Sequence, residues 1–173
     1  DRCCQGKLGN ISHCAQRHHD ASRSLQHYLA NRAVTLQIVA NDPAIIAWTA
    51  QHLDAVGFDP AGAVGIGFVD DDKPVAGVVF HNRTERDIHV SVFAEDPRWC
   101  RRHHLRTLFE YPFRQLGLTR MTATTRKGNK RARKLIQGLG FCYEGAQPKY
   151  FDDTANGSLV SYGMLADQCK WIM

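Results

Sequence analysis

Long apolar runs are missing from this chain: no stretch of its 173 residues approaches the roughly 18 apolar positions that a membrane-spanning helix requires. The reading is a soluble chain without a membrane partner. Missing too, near the first residue, is a basic segment followed by an apolar run of leader length. That absence sets the expectation of a cytoplasmic protein whose six cysteines are thiols rather than a disulfide framework. Internal repeats and low-complexity tracts are absent as well. Acids are scarce in one region: residues 98–134 hold only Glu110.

What is present is enough apolar material, 43% of the residues, for one core. The charge is unevenly spread. Residues 98–134 carry 12 Arg and Lys against that single acid, an excess of +11, whereas residues 35–97 hold 10 acids against 3 bases, or −7. One side of the fold is built to meet an anion, either a nucleic acid or the phosphates of a cofactor.

From Thr35 the pattern alternates. "TLQIVA" reads as a strand, and Asp42 followed by Pro43 is an N-cap with proline at the first helical position, opening the helix "PAIIAWTAQHL", which closes near Gly57. "AVGIGFV" and "PVAGVVFHN", joined by "DDDK", read as a hairpin, and "DIHVSVFA" adds a third antiparallel strand. "RRHHLRTLFEYPFRQLG" has Leu105, Leu108 and Phe109 at helical spacing, with Pro112 expected to kink or shorten the helix and Gly117 to end it. Then come the strand "TRMTATT", the helix "NKRARKLIQGLG", and the strands "FCYEGAQ" and "SLVSYGML". The order β-α-β-β-β-α-β-α-β-β predicts an α/β (α+β) domain at 35–173, a mixed, mostly antiparallel sheet flanked by helices.

Residues 1–34 differ. They show little apolar periodicity beyond a short helical pattern at "SRSLQHYLANRAV", and "VTLQIVAND" looks like a natural beginning. The expectation is a loosely ordered or non-native extension, with Val34 a non-AUG start and residues 1–33 upstream sequence read in frame. Cys3, Cys4, His13, Cys14, His18 and His19 raise the question of zinc, but adjacent Cys3 and Cys4 do not fit the two-to-four-residue ligand spacing. No metal is expected.

The most telling segment is "NKRARKLIQGLGFCYEG", residues 129–145. Asn129 stands where a strand gives way to a helix, which makes it an N-cap by its residue type and place. Ala132, Leu135 and Ile136 aim the helix at the sheet, Gly140 ends it and Phe141 fills the core. Taken as a set, the Asn, the Ala three residues on, "LGF" and then "EG" resemble the C-terminal half of the Gcn5-related N-acetyltransferase (GNAT) superfamily, in its phage or bacterial form. "HVSVFAEDPRWCRRHHLRTLF" occupies the place of that family's strand, pyrophosphate turn and helix, and "EGAQPKYFDDTANGSLVSYGML" that of its closing strands. The similarity spans roughly residues 35–165.

The resemblance implies acetyl-CoA as co-substrate, lying between two central strands that part from one another. It implies contacts from Val92 and Phe93 at the end of the earlier strand, from Arg101, Arg102, His103, His104, Leu105 and Arg106 at the helix start, and from Asn129 and Ala132. The chain departs from the family at two points. Cys100, His103 and Leu105 stand where the turn usually has Gln or Arg, Gly, and Gly or Ala, with Arg101, Arg102 and Arg106 as compensating phosphate ligands. Ile136 stands where many members have a proton-donating Tyr; Cys142, Tyr143, Tyr150, Tyr162 or water are the alternatives. Direct transfer to an amine also needs a base. Asp87, His89 and Ser91 alternate along one strand face that Glu95 closes, so His89 or Glu95 is the candidate, against a plain solvent-facing polar row.

Three functions follow: an acyl-CoA-dependent N-acyltransferase for a small-molecule or peptide amine; a GNAT-like DNA-base-modifying enzyme, with nucleic acid as partner; and a non-catalytic module that binds CoA or nucleic acid. A homodimer is compatible with each. Lys130, Arg131, Arg133 and Lys134 are expected to form a solvated outer helix face.

Overall fold

The computed structural model describes residues 36–53 and 62–173, which belong to one compact unit, Leu36–Met173. The expectations placed on residues 1–34, their short helix and the zinc ligands among them, lie outside the described residues.

Seven strands form one sheet: β1 (Gln37–Ala40), β2 (Val64–Asp70), β3 (Lys73–His81), β4 (Asp87–Ala94), β5 (Arg120–Arg126), β6 (Cys142–Gln147) and β7 (Leu159–Leu165), in the spatial order β1-β2-β3-β4-β5-β7-β6. Every neighbouring pair is antiparallel except β4 with β5. The sheet is therefore mixed and mostly antiparallel, as the sequence order predicts. The β2–β3 hairpin turns on Asp71 and Asp72, whose φ values of 46° and 62° make a two-residue connection of the kind that matches strand twist.

Among the described residues three α-helices cover the sheet: α1 (Pro43–Gln51), α2 (Arg102–Glu110) and α3 (Lys130–Leu139). Asp42 caps α1, its side chain accepting from the Ala44 N–H at 2.8 Å. α1 stops at Gln51 with His52 as its C-cap, well before Gly57. Pro112 does not break the second helix. Residues Tyr111–Gln115 continue it as one π-helical turn, in which the Leu116 N–H reaches the Tyr111 carbonyl at 3.0 Å, so the widened turn absorbs a residue that has no N–H.

The pleat assigns faces. Val78 and Phe80 of β3, Ile88, Val90 and Val92 of β4, and Met121 and Ala123 of β5 share the face that packs on Leu105, Leu108 and Phe109 of α2. The other face carries Gly65, Gly67 and Gly77, over which α1 lies so closely that a Cβ on Gly67 would come within 2.8–2.9 Å of three Ile45 carbons. The chain after β7 was not anticipated as structural, yet Cys169 is fully buried, and Trp171 donates its indole N–H to the Leu139 carbonyl at 2.7 Å while Lys170 reaches that of Gly138 at 3.0 Å. These two side chains satisfy carbonyls that the end of α3 leaves unpaired.

His104 is a core residue. Its ring is 2% exposed, lies 4.8 Å from Phe68 and donates Nδ1–H to the Trp99 carbonyl at 3.0 Å. Burial lowers its pKa, and so does the positive charge of His103 and Arg101 nearby. A lowered folded-state pKa means that the unfolded chain takes up the proton first. Stability is full above the ordinary imidazole value of about 6.5 and falls as pH drops below it. Melting scans from pH 7 to 5 should show Tm falling through this window, with a shallower fall in His104→Asn, which keeps a donor but cannot charge. An unchanged slope in that variant would remove His104 as the cause.

Candidate active site

The one parallel pair is short. β4 and β5 pair only at Asp87 with Arg120, Ile88 with Met121 and His89 with Thr122. Beyond that point β4 stays with β3 as far as Ala94, and β5 stays with β7 as far as Arg126. The two strands part, and their facing backbone edges from Val90 and Ala123 onward have no ladder partner across the gap.

A cavity of about 640 Å³ lies at that gap and is lined by residues of both sheet faces. On the helical side its wall is apolar: Val90, Val92, Leu105, Phe109, Leu135, Ile136 and Phe141. On the other side it meets His52, His81, Ser91 and Phe93. α3 turns the stripe Ala132, Leu135, Ile136 and Leu139 toward this space, and only Leu139 of that helix is fully buried. An amphipathic helix that leaves most of its apolar stripe half-exposed over a cleft is ready for a ligand to complete the packing.

Because β4 and β5 run in the same direction, the helices that follow them start at the same end of the gap. α2 begins after the short turn Pro97–Cys100 with Arg101 as its N-cap, and no side chain caps it. Its first-turn N–H groups and the positive end of its dipole are left for an external acceptor. α3 begins at Asn129, whose Oδ1 accepts from the Ala132 N–H at 3.0 Å. Asn129, Arg131 and Ala132 all line the cavity. Crevices at the carboxyl ends of parallel strands, between helix starts, are where α/β folds bind ligands.

The basic region is less free than its composition implies. Arg98 pairs with Asp70 at 2.5 Å and Asp96 at 2.7 Å, Arg106 and Arg114 share Glu110, Arg120 is held by Glu144, and Arg126 by Asp152. Arg101 and Arg102 are exposed at the start of α2. On α3 the expected solvated face is corrected in two places. Arg131 lines the cavity, and Arg133 turns back to bond the Tyr162 hydroxyl at 3.1 Å and the Lys127 carbonyl at 3.2 Å.

The candidate cofactor contacts divide accordingly. Val92 and Phe93 line the gap, Phe93 from the α1 side, where its ring stacks on His52 at 4.2 Å. Arg101, Arg102 and His103 are exposed at the helix start. His104 and Leu105 point inward, so of these two only the backbone is available to an anion. Arg106 is already tied to Glu110 at 2.9 Å. The two missing glycines are not needed for backbone shape, since no residue between 97 and 105 has a positive φ. Cys100 lines the cavity as a half-buried thiol whose pKa burial pushes up.

Of the candidate catalytic residues, His89 is half-buried on the polar face of β4, its ring 5.7 Å from His81. Glu95 is exposed past the strand end and does not line the cavity; its backbone N–H is taken by the Val75 carbonyl at 2.9 Å. Tyr143 is 56% exposed on the edge strand β6, edge-on to Tyr162, and also lies outside the cavity lining. The residue not singled out in advance is His81, the last of β3. It is 6% exposed, lines the cavity and bonds Ser91 Oγ through Nε2 at 2.9 Å. Burial lowers its pKa first, then the neighbouring His89, while a bond with the Asn82 side chain opposes them. Among the described residues no His, Cys, Asp and Glu cluster is placed to hold a metal ion, and no helix is long and apolar enough to cross a membrane.

No family model matches the sequence, and no curated protein matches it. Solved structures do. A ribosomal-protein-S5-alanine acetyltransferase from Vibrio fischeri is 17% identical, covering 79% of this chain and 96% of its own with a TM-score of 0.59. A mutant spermidine N-acetyltransferase SpeG from Vibrio cholerae is 13% identical, covering 80% and 97% with a TM-score of 0.62. Ard1 from Thermoplasma volcanium is 15% identical, covering 76% and 98% with a TM-score of 0.58. The fold is that of the GNAT acetyltransferases, as the Asn129 segment and the order of elements lead one to expect.

Proposed function

We propose that the protein is an acyl-CoA-dependent N-acyltransferase that moves an acetyl group from acetyl-CoA to an amine by direct attack. The observation that carries this reading is the gap between β4 and β5, with two helix starts at one end and His81 with Ser91 on its far side. Neighbours of the same fold that act on spermidine and on a ribosomal protein's alanine support an amine acceptor.

The residues fit such a co-substrate. First-turn N–H groups at Arg102 and His103, with the Arg101 and Arg102 guanidinium groups and Arg131 opposite, suit a pyrophosphate. The open edge of β4 at Val92 and Phe93 suits the amides of a pantetheine arm, and Ala132, Leu135 and Ile136 suit its apolar flank. From Ala94, the last residue of β4, back to Ser91 the open strand edge spans roughly 10 Å, over which such an arm can lie along the backbone. Bound there, acetyl-CoA supplies an activated thioester. The protein orients it, excludes water from the apolar wall and presents polar groups to the incoming amine.

Millimolar acetyl-CoA should raise Tm by several degrees, since a ligand selective for the native state at 100 times its Kd stabilises by about 2.7 kcal/mol. Adenosine without phosphates should do much less. Radiolabelled acetyl transfer to a panel of amines, peptides and DNA then separates the small-amine and peptide acceptors from the DNA-base-modifying reading, to which exposed Lys127, Lys130 and Lys134 would contribute. An unchanged melt would defeat the acyltransferase reading. A shifted melt with no transfer to any of these acceptors would favour a non-catalytic CoA-binding module.

A further inference from the structure

We propose that Ser91 and His81 form a proton relay for the acceptor amine, Ser91 Oγ touching the amine and His81 Nε2 receiving the proton through it. The inference rests on reading the gap as an acyl-transfer site. Its geometry is independent of any motif. His89 is the last β4 residue paired to β5, and Ser91 is the next residue on that same face, so it stands where the strands begin to part. His81 is directly opposite His89 in the β3–β4 register, which brings its ring diagonally onto Ser91 at 2.9 Å. Both line the cavity on the face away from α2 and α3, the side from which an acceptor can reach a thioester laid along β4.

The chemistry balances. The amine lone pair makes the new N–C bond to the acetyl carbon, and the C–S bond breaks with its electron pair leaving on sulfur, which takes a proton from solvent. Ser91 Oγ takes the proton that the nitrogen sheds and passes its own hydroxyl proton to His81 Nε2, which must therefore be the unprotonated nitrogen in the resting protein. Against the ring stand His89 on β4, its own ring 5.7 Å away, and Asn82, the next residue after β3, whose side chain bonds to it. Asp87 is committed to Thr122, which donates to it at 2.7 Å, and to Arg120. Burial, with His89 close by, keeps the imidazole neutral near pH 7, able to accept a proton and quick to lose it.

Two measurements test the relay. Long-range 1H–15N spectra of the histidine-labelled protein should show His81 in the Nδ1–H form, titrating below the ordinary imidazole range, and Ser91→Ala should shift its Nε2 resonance. A neutral Nε2–H tautomer overturns the proposal. With acetyl-CoA and butylamine as the probe acceptor, followed by thiol release, Ser91→Ala and His81→Gln should each lower kcat/KM about 10²- to 10³-fold while the Kd for acetyl-CoA changes less than threefold. With the rate referred to the neutral form of butylamine, the acid limb of the wild-type pH profile should be absent in His81→Gln. Equal rates in all three proteins overturn the relay alone, whereas a wild-type protein that binds no acetyl-CoA overturns the acyltransferase reading with it. Ser91→Ala is the safer variant, because His81 is buried and its loss can cost stability.

Discussion

Reversing the charge of Arg101 and Arg102 together, each to Glu, is expected to weaken acetyl-CoA binding by at least 100-fold in calorimetry. A charge-assisted hydrogen bond to phosphate contributes about 1.5 to 3 kcal/mol, so losing one already costs roughly tenfold or more. Glutamate adds repulsion at the same place. The two arginines flank the first turn of α2, which no side chain caps, so the carboxylates would also occupy the dipole end on which an anion depends. Both side chains are exposed, so the melting temperature without ligand should hardly move. Arg106→Gln makes the contrast. Its guanidinium is engaged by Glu110 at 2.9 Å, and its removal should change affinity less than threefold. Affinity that survives the double reversal, or that falls as far in Arg106→Gln, would move the pyrophosphate away from this helix start.

The contrast between Arg102 and Arg106 marks where the sequence was and was not legible. Composition locates a strongly basic region, because 12 bases against one acid cannot be hidden. It does not say which bases are spoken for. Asp70, Asp87, Glu144 and Asp152 lie 24 to 33 positions from the arginines they meet, and only the sheet order brings them together. Local signals were read well. Asn129 at an N-cap, Gly140 at φ 109° and the Asp71–Asp72 hairpin follow from backbone chemistry that each residue carries with it. Pro112 was expected to kink or shorten helix α2; the α-helix does stop at Glu110, and the chain continues as a π turn over Tyr111–Gln115, with Phe109 and Phe113 buried in the core.

The site shows the same division. Alternation along β4 placed Asp87, His89 and Ser91 on one face, which the register bears out. His81 could be found only by pairing β3 with β4 residue by residue, because it lies ten positions from the serine it bonds. Glu95 and Tyr143 were chosen for chemistry near the strand ends. The first extends past the end of β4, and the second sits on the outer edge strand, away from the cavity lining.

The largest stability effect is expected where α1 meets the sheet, at Gly77. A Cβ built there would sit far inside van der Waals contact with Thr49 Oγ1, 3.1 Å from the Thr49 Cβ and 3.4 Å from its Cγ2. Thr49 cannot easily yield, since it is fully buried and its hydroxyl donates to the Ile45 carbonyl one turn back at 2.7 Å. In a helix its χ1 choices are few. Gly77→Ala should therefore destabilise by about 2 to 3 kcal/mol, as overpacking does, despite the small gain that alanine brings to an extended backbone. Thr49→Ala alone should cost about 1 kcal/mol, the net worth of one buried hydrogen bond. Combined, the two should cost less than Gly77→Ala by itself, because the offending oxygen is gone and the remaining 3.1 Å contact needs a shift of only a few tenths of an ångström. A double-mutant cycle in urea should return a favourable coupling of about 1 to 3 kcal/mol. His52, three residues beyond Thr49 at the same end of α1, stacks on Phe93, which pairs with Gly77, and both line the cavity, so Gly77→Ala should also weaken acetyl-CoA binding, and Thr49→Ala should restore it in the double variant. Additive losses with no recovery would mean that α1 is held to the sheet by something other than this close approach.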